Sequence, residues 1–112
     1  MSNSVSSIDR RRARRASLDV LANRFLDGYP YLCRATDISR GGLRLYRFNE
    51  PATPSRFVGL QFQLPGCDEV LTASGEIVSE DGEARTIGVR FTHLPANAAA
   101  AIAKFTRRRF TA

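Results

Sequence analysis

The chain has 112 residues, is 43% hydrophobic and carries a formal net charge of +6. That length supports one hydrophobic core and excludes a second domain of ordinary size. No apolar run approaches the ~20 residues that a membrane-spanning helix needs. MSNSVSSIDRRR also lacks the apolar segment of a secretory signal, so the cytoplasm is the expected compartment. The charge is gathered at the ends: residues 9–15 carry +4 and residues 104–109, KFTRRR, another +4, leaving −2 for residues 16–103. A nucleic-acid binder would more often spread charge over its folded face. Charge at the termini suits a clamp for a small anion, or two solvated tails.

Residues 1–9 are serine-rich and polar, a composition that predicts a disordered tail. Residues 10–15, RRRARR, place five of the chain's sixteen arginines in six positions. Lysine would supply the same charge. Arginine adds a planar fork that grips a phosphate, or the edge of a guanine, with two hydrogen bonds. From Leu18 the pattern alternates, with Leu18, Val20 and Ala22 on one face, and ends at Asp27-Gly28. YPYLCRA predicts a second strand, followed by the polar, glycine-rich turn DISRGG. LRLYRF predicts a third, with Leu43 and Leu45 alternating against Arg44 and Tyr46. NEPATPS is a loop by its prolines. FVGLQFQL sets Val58, Leu60, Phe62 and Leu64 against Gln61 and Gln63, the clearest strand of the chain. After the turn PGCDE, VLTASGEIVSE and ARTIGVRFTHL flank Asp81-Gly82 as a hairpin. Six strands with short connections predict an antiparallel meander that closes into a barrel, because closure removes exposed edges. Beyond Pro95 the alanine-rich ANAAAAIAKFTRRRF predicts a helix that packs Ile102 and Phe105 on the barrel.

The sequence offers little to catalysis, and no enzyme activity is expected. His93 is the only histidine, at a strand end, with no nucleophile arranged around it. Glu76, Glu80, Asp81 and Glu83 surround a hairpin turn and read as a solvated loop rather than a metal site. Cys33 and Cys67 follow no metal-ligand spacing and read as two half-buried free thiols.

Two segments remain, the arginine cluster and Asp37-Ile38-Ser39-Arg40-Gly41-Gly42. Asp37 can accept from two N–H groups, which is what the N1/N2 edge of guanine offers. Ser39 can donate to a phosphate oxygen or a ring nitrogen. Gly42, with Gly41, allows a backbone conformation closed to other residues and lets a ligand approach closely. Alone, the hexapeptide is also an ordinary turn and RRRARR a solvated arm.

Together, in this order and separation, they resemble the PilZ domain family, bacterial receptors of cyclic di-GMP. The family signature pairs RxxxR, just before the first strand, with [D/N]xSxxG after the second. Arg11 and Arg15 supply the first motif, and Asp37, Ser39 and Gly42 every fixed position of the second. Arg10 and Arg14 satisfy RxxxR as well; Arg11 and Arg15 are preferred because the alternating pattern follows Arg15 directly. Leu43-Arg44-Leu45 and Ile87-Gly88-Val89-Arg90-Phe91 extend the likeness, which covers residues 9–94. The resemblance implies a six-stranded antiparallel β-barrel over residues 10–94, arm included, with a C-terminal helix over 95–112. It implies cyclic di-GMP as ligand, no cofactor or metal, and Arg10, Arg11, Arg15, Asp37, Ser39 and Gly42 as its contacts. Arg12, Arg14, Arg40 and Gly41 lie beside them. In the family an arginine at the position of Arg10 goes with two bound ligands. Many relatives carry a tryptophan or another large side chain where this chain has Ser79, and the expected substitute for a stacking contact from that strand is an arginine of the N-terminal cluster. The expected output is an ordering of the arm on binding, read by an unidentified downstream protein partner. Two other readings stand beside it: a barrel binding single-stranded nucleic acid through its basic ends, with Tyr29, Tyr31, Tyr46 and Phe48 to stack bases, and a degenerate PilZ scaffold. Nucleic acid is not the expected partner, since an alternating strand pattern accounts for most of those aromatics.

Overall fold

In the computed structural model, residues 15–48 and 55–111 are described, apart from the side chains of 109–111. The expected tail and Arg10, Arg11, Arg12 and Arg14 lie outside the described residues. The elements are β1 (Ala16–Leu26), β2 (Tyr29–Ile38), β3 (Gly42–Arg47), β4 (Phe57–Phe62), β5 (Leu71–Asp81), β6 (Thr86–His93) and α1 (Ala96–Thr111). Every strand pairing is antiparallel, and the sheet closes into a barrel in the order β1-β2-β3-β6-β5-β4. The six-stranded closed barrel and its terminal helix are those expected from the sequence. The path is not a simple meander: β3 pairs with β6 rather than β4, and β4 returns to β1 to close the ring. A strand at either end of a meander would have an unpaired edge, and the β1–β4 ladder removes it.

Alternation determines which side chains enter the barrel. Leu18 and Ala22 of β1, Cys33 and Ala35 of β2, Leu43 and Leu45 of β3, Val58, Leu60 and Phe62 of β4, Leu71, Ala73 and Ile77 of β5, and Ile87 and Val89 of β6 are all buried in one core. The interior is therefore filled by side chains, as a barrel of this strand number requires. The two cysteines are free; Cys67 is half-buried as expected, whereas Cys33 is fully buried, because its place on β2 faces inward. Helix α1 packs against β1 and β5, burying Ala98, Ile102 and Phe105 at i, i+4 and i+7.

Turn chemistry follows the sequence at two places. Asp27 and Gly28, between β1 and β2, have φ of 51° and 84°, the left-handed pair that a tight hairpin needs. Between β5 and β6 the turn runs longer than Asp81-Gly82: residues 82–85 form it, Asp81 Oδ1 accepts from the Ala84 N–H at 3.1 Å, and Arg85 has φ of 58°.

Candidate functional site

The hexapeptide 37–42 spans the end of β2, a three-residue turn and the start of β3. Ser39 is 2% exposed. Its N–H donates to the Gly42 carbonyl at 2.8 Å. Its hydroxyl accepts from the Gly41 N–H at 3.2 Å and donates to the Gly42 carbonyl at 3.5 Å. The Gly41 carbonyl in turn accepts from the Phe91 N–H at 2.8 Å. The serine thus holds the turn from inside, and β6 holds it from the side. In this state its hydroxyl is committed to the backbone rather than aimed outward.

The two glycines have different reasons to be there, and neither is a positive φ, which among the described glycines occurs at Gly28 and Gly66. At Gly42 a Cβ would overlap the carbonyl oxygen of Val89, because β3 and β6 approach closely where Gly42 faces Arg90. At Gly41 the nearest atom to such a Cβ is the Ser39 hydroxyl at 3.9 Å, an ordinary contact. Gly42 is fixed by packing; Gly41 is exposed and sterically free.

Arg15 stands immediately before β1. Its Nε donates to Asp37 Oδ1 at 2.9 Å, which ties the root of the arginine cluster to the aspartate of the turn. The pair follows from the β1–β2 ladder, in which Ala16 faces Ile38 and Ser17 faces Asp37. Arg15 is therefore anchored, whereas the expected arm included it among charges with nothing to fold onto.

Arg15, Ser39, Gly41 and Gly42 line one open cleft of about 380 Å³ on the outside of the barrel. Leu43, Arg44, Val78, Ser79, Gly88, Val89 and Arg90 complete its walls. Arg90 pairs with Glu76, its cross-strand neighbour on β5. Of the expected site residues, Arg15, Ser39, Gly41 and Gly42 come together here, and Asp37 is tied to the cleft through its pair with Arg15. Arg40 is exposed on the turn and is not part of the cleft wall. Arg44 and Arg90 were not singled out as site residues. The signal for Arg44 was its outward place between the inward Leu43 and Leu45, directly after the turn. Ser79 does sit in the cleft, a small side chain where a large one was expected in relatives.

Of the four aromatics considered for base stacking, Tyr46 and Phe48 engage each other, whereas Tyr29 is exposed. Tyr46 and Phe48 meet edge to face with centroids 5.8 Å apart, and the Arg34 guanidinium lies 5.7 Å from the Phe48 centroid. Among the described residues no helix is long and apolar enough to cross a membrane, and no group of three or more His, Cys, Asp or Glu side chains could hold a metal.

The packed interior of the closed barrel leaves the outer wall for a site, and Arg15, Arg44 and Arg90 line the cleft there. The chain belongs to the PilZ domain family, whose model matches residues 9–108. Among solved structures it is similar to the PilZ domain of YcgR from Escherichia coli, determined with cyclic di-GMP, at 16% identity and a TM-score of 0.65, covering 90% of this chain and 92% of that one. It is also similar to the inhibitor of motility MotI/DgrA of Bacillus subtilis, at 13% identity and a TM-score of 0.72, over 87% of this chain but only 49% of the other. PlzA of Borreliella burgdorferi, solved in complex with cyclic di-GMP, matches at 13% identity and a TM-score of 0.62, over 92% of this chain and 45% of that one. The chain thus spans about half the length of the last two. No curated protein sequence matches it.

Proposed function

We propose that this chain is a cyclic di-GMP receptor module that works by binding and not by catalysis. The observation that carries the reading is the meeting of Arg15 with Ser39, Gly41 and Gly42, distant from it in sequence, at one exterior cleft beside the Arg15–Asp37 ion pair. Family membership and the cyclic di-GMP bound to similar domains point to the same ligand. The chemistry fits. Arginine forks take O6 and N7 of guanine, or a phosphate, with paired hydrogen bonds. Asp37 takes N1–H and the 2-amino group on the opposite edge. Arg10 and Arg11 close on the ligand from the N-terminal side, and the altered surface is read by a protein partner.

Parallel calorimetric titrations with cyclic di-GMP, cyclic di-AMP, GTP and a short oligonucleotide test this. Binding at micromolar strength or better by cyclic di-GMP alone is the expected result. Adenine places an amino donor where guanine has O6, so the arginine fork meets a donor and Asp37 loses its N–H partners. Equal affinity for the two cyclic dinucleotides refutes the guanine-edge reading, and a preference for the oligonucleotide replaces it with nucleic-acid binding.

A further inference from the structure

The registers of five strands place Ser17, Asp37, Arg44, Gly88 and Ser79 in one row across β1, β2, β3, β6 and β5. Asp37 is the cross-strand neighbour of Arg44, yet its recorded partner is Arg15. The other barrel arginines are occupied. Arg34 pairs with Asp19, Arg47 with Glu80 and Arg90 with Glu76. Arg56 donates to the Ile77 carbonyl and Arg85 to the Arg47 carbonyl, and Arg24 is engaged too. Among the described residues of the barrel, Arg40 and Arg44 alone have no protein acceptor, and of these two only Arg44 lines the cleft.

Along its row on β6 and β5, the wall beside Arg44 carries no large polar side chain. Its neighbour on β6 is Gly88, which has no side chain, and the next position, on β5, is Ser79. With strands about 4.8 Å apart, the Arg44 and Ser79 columns stand about 10 Å from each other, and the small Ser79 hydroxyl leans over Gly88 between them. Val78 and Val89 add apolar surface to the same wall. A flat, weakly polar surface suits the face of a base. A phosphate would lie better by Arg15.

We infer that Arg44 is a specificity-determining ligand residue, gripping or covering a purine base of the bound dinucleotide with its planar guanidinium from β3. It provides the planar contact that Ser79 cannot supply from β5. The inference rests on the cyclic di-GMP reading and assigns that site a residue outside both sequence motifs. A planar guanidinium stacks on a base or forks to its edge; an ammonium does neither.

The test is calorimetric titration of cyclic di-GMP into the full chain and into Arg44→Ala, Arg44→Lys and Arg34→Ala, with thermal melting of each. Arg34 carries the same charge away from the cleft. The expected result is a loss of at least about tenfold in affinity for both Arg44 variants, with Arg34→Ala near the parent and melting temperatures unchanged. Full affinity in Arg44→Lys overturns the planar contact and leaves only charge. Full affinity in Arg44→Ala overturns any role for Arg44 while leaving the receptor reading intact. An unmodified chain that binds no cyclic di-GMP removes both.

Discussion

Replacing Gly42 by alanine, with Gly41→Ala as its partner experiment, separates what the turn does for the fold from what it does for the ligand. One methyl group at position 42 would overlap the Val89 carbonyl oxygen and crowd the Val89 carbonyl carbon at 3.0 Å and Arg90 Cα at 3.1 Å. All three are backbone atoms of β6, so no side chain can rotate aside, and β3 and β6 must separate where Gly42 faces Arg90. Overpacking of a well-packed site costs about 1–3 kcal/mol. At about 4 °C per kcal/mol for a domain of this size, Gly42→Ala should melt roughly 4–12 °C lower. The methyl of Gly41→Ala meets nothing closer than 3.9 Å, so its melting temperature should stay within about a degree of the parent, as for most exposed substitutions. Differential scanning calorimetry without ligand reads both. A Gly42→Ala protein that melts with the parent would refute the close approach of the strands. Equal losses in the two variants would show that the turn's backbone conformation, and not the β3–β6 spacing, requires glycine.

Arg15→Ala and Asp37→Ala should each weaken cyclic di-GMP binding at least about tenfold, since a charge-assisted hydrogen bond is lost. The ligand-free fold should hardly change, because their ion pair is exposed and worth about 0–1 kcal/mol; a large drop in melting temperature would make the pair structural. Titration well above the dissociation constant should give two ligands per chain, falling to one in Arg10→Leu. Two stacked ligands carry the four negative charges that a cluster of five arginines can balance, and a ratio of one in the parent leaves Arg10 a steering role seen in a salt-dependent association rate. Ile102→Ala should cost about 2–5 kcal/mol in chemical denaturation, because Ile102 is 0% exposed on the barrel-facing side of α1; a cost under about 1 kcal/mol would mean that the helix is not docked.

The strands were legible because their outward positions are polar and their inward ones apolar, as in Val58-Gly59-Leu60-Gln61-Phe62. The helix was legible because Ile102 and Phe105 share a face and Pro95 marks its start. Strand order was not, since β3–β6 and β4–β1 pairings join segments about 40 residues apart and leave no local mark. The same limit applied to the site. Asp37, Ser39 and Gly42 lie within one hexapeptide, and motif spacing marked them as candidates. Gly88 and Arg90 reach the cleft only through barrel register, Ser79 was marked only by the likeness to relatives, and Arg44 looked like any outward strand residue. The glycine at position 42 was expected for the right segment and a different reason: torsional freedom was anticipated, and a close strand–strand approach is what requires it.

The filled interior of the barrel means that foldability and recognition are written on alternate letters of the same strands. On β3 and β6, Leu43, Leu45, Ile87 and Val89 fill the core, Leu43 and Val89 also touching the cleft, while the outward Arg44 and Arg90 belong to the cleft alone. Outward positions can change without opening a cavity inside, so the two sets of residues can drift independently, apart from the few glycines where strands touch. A laboratory selection for a new ligand could therefore randomise Arg44, Ser79 and Arg90 while holding their inward neighbours fixed. Most members of such a library should still fold.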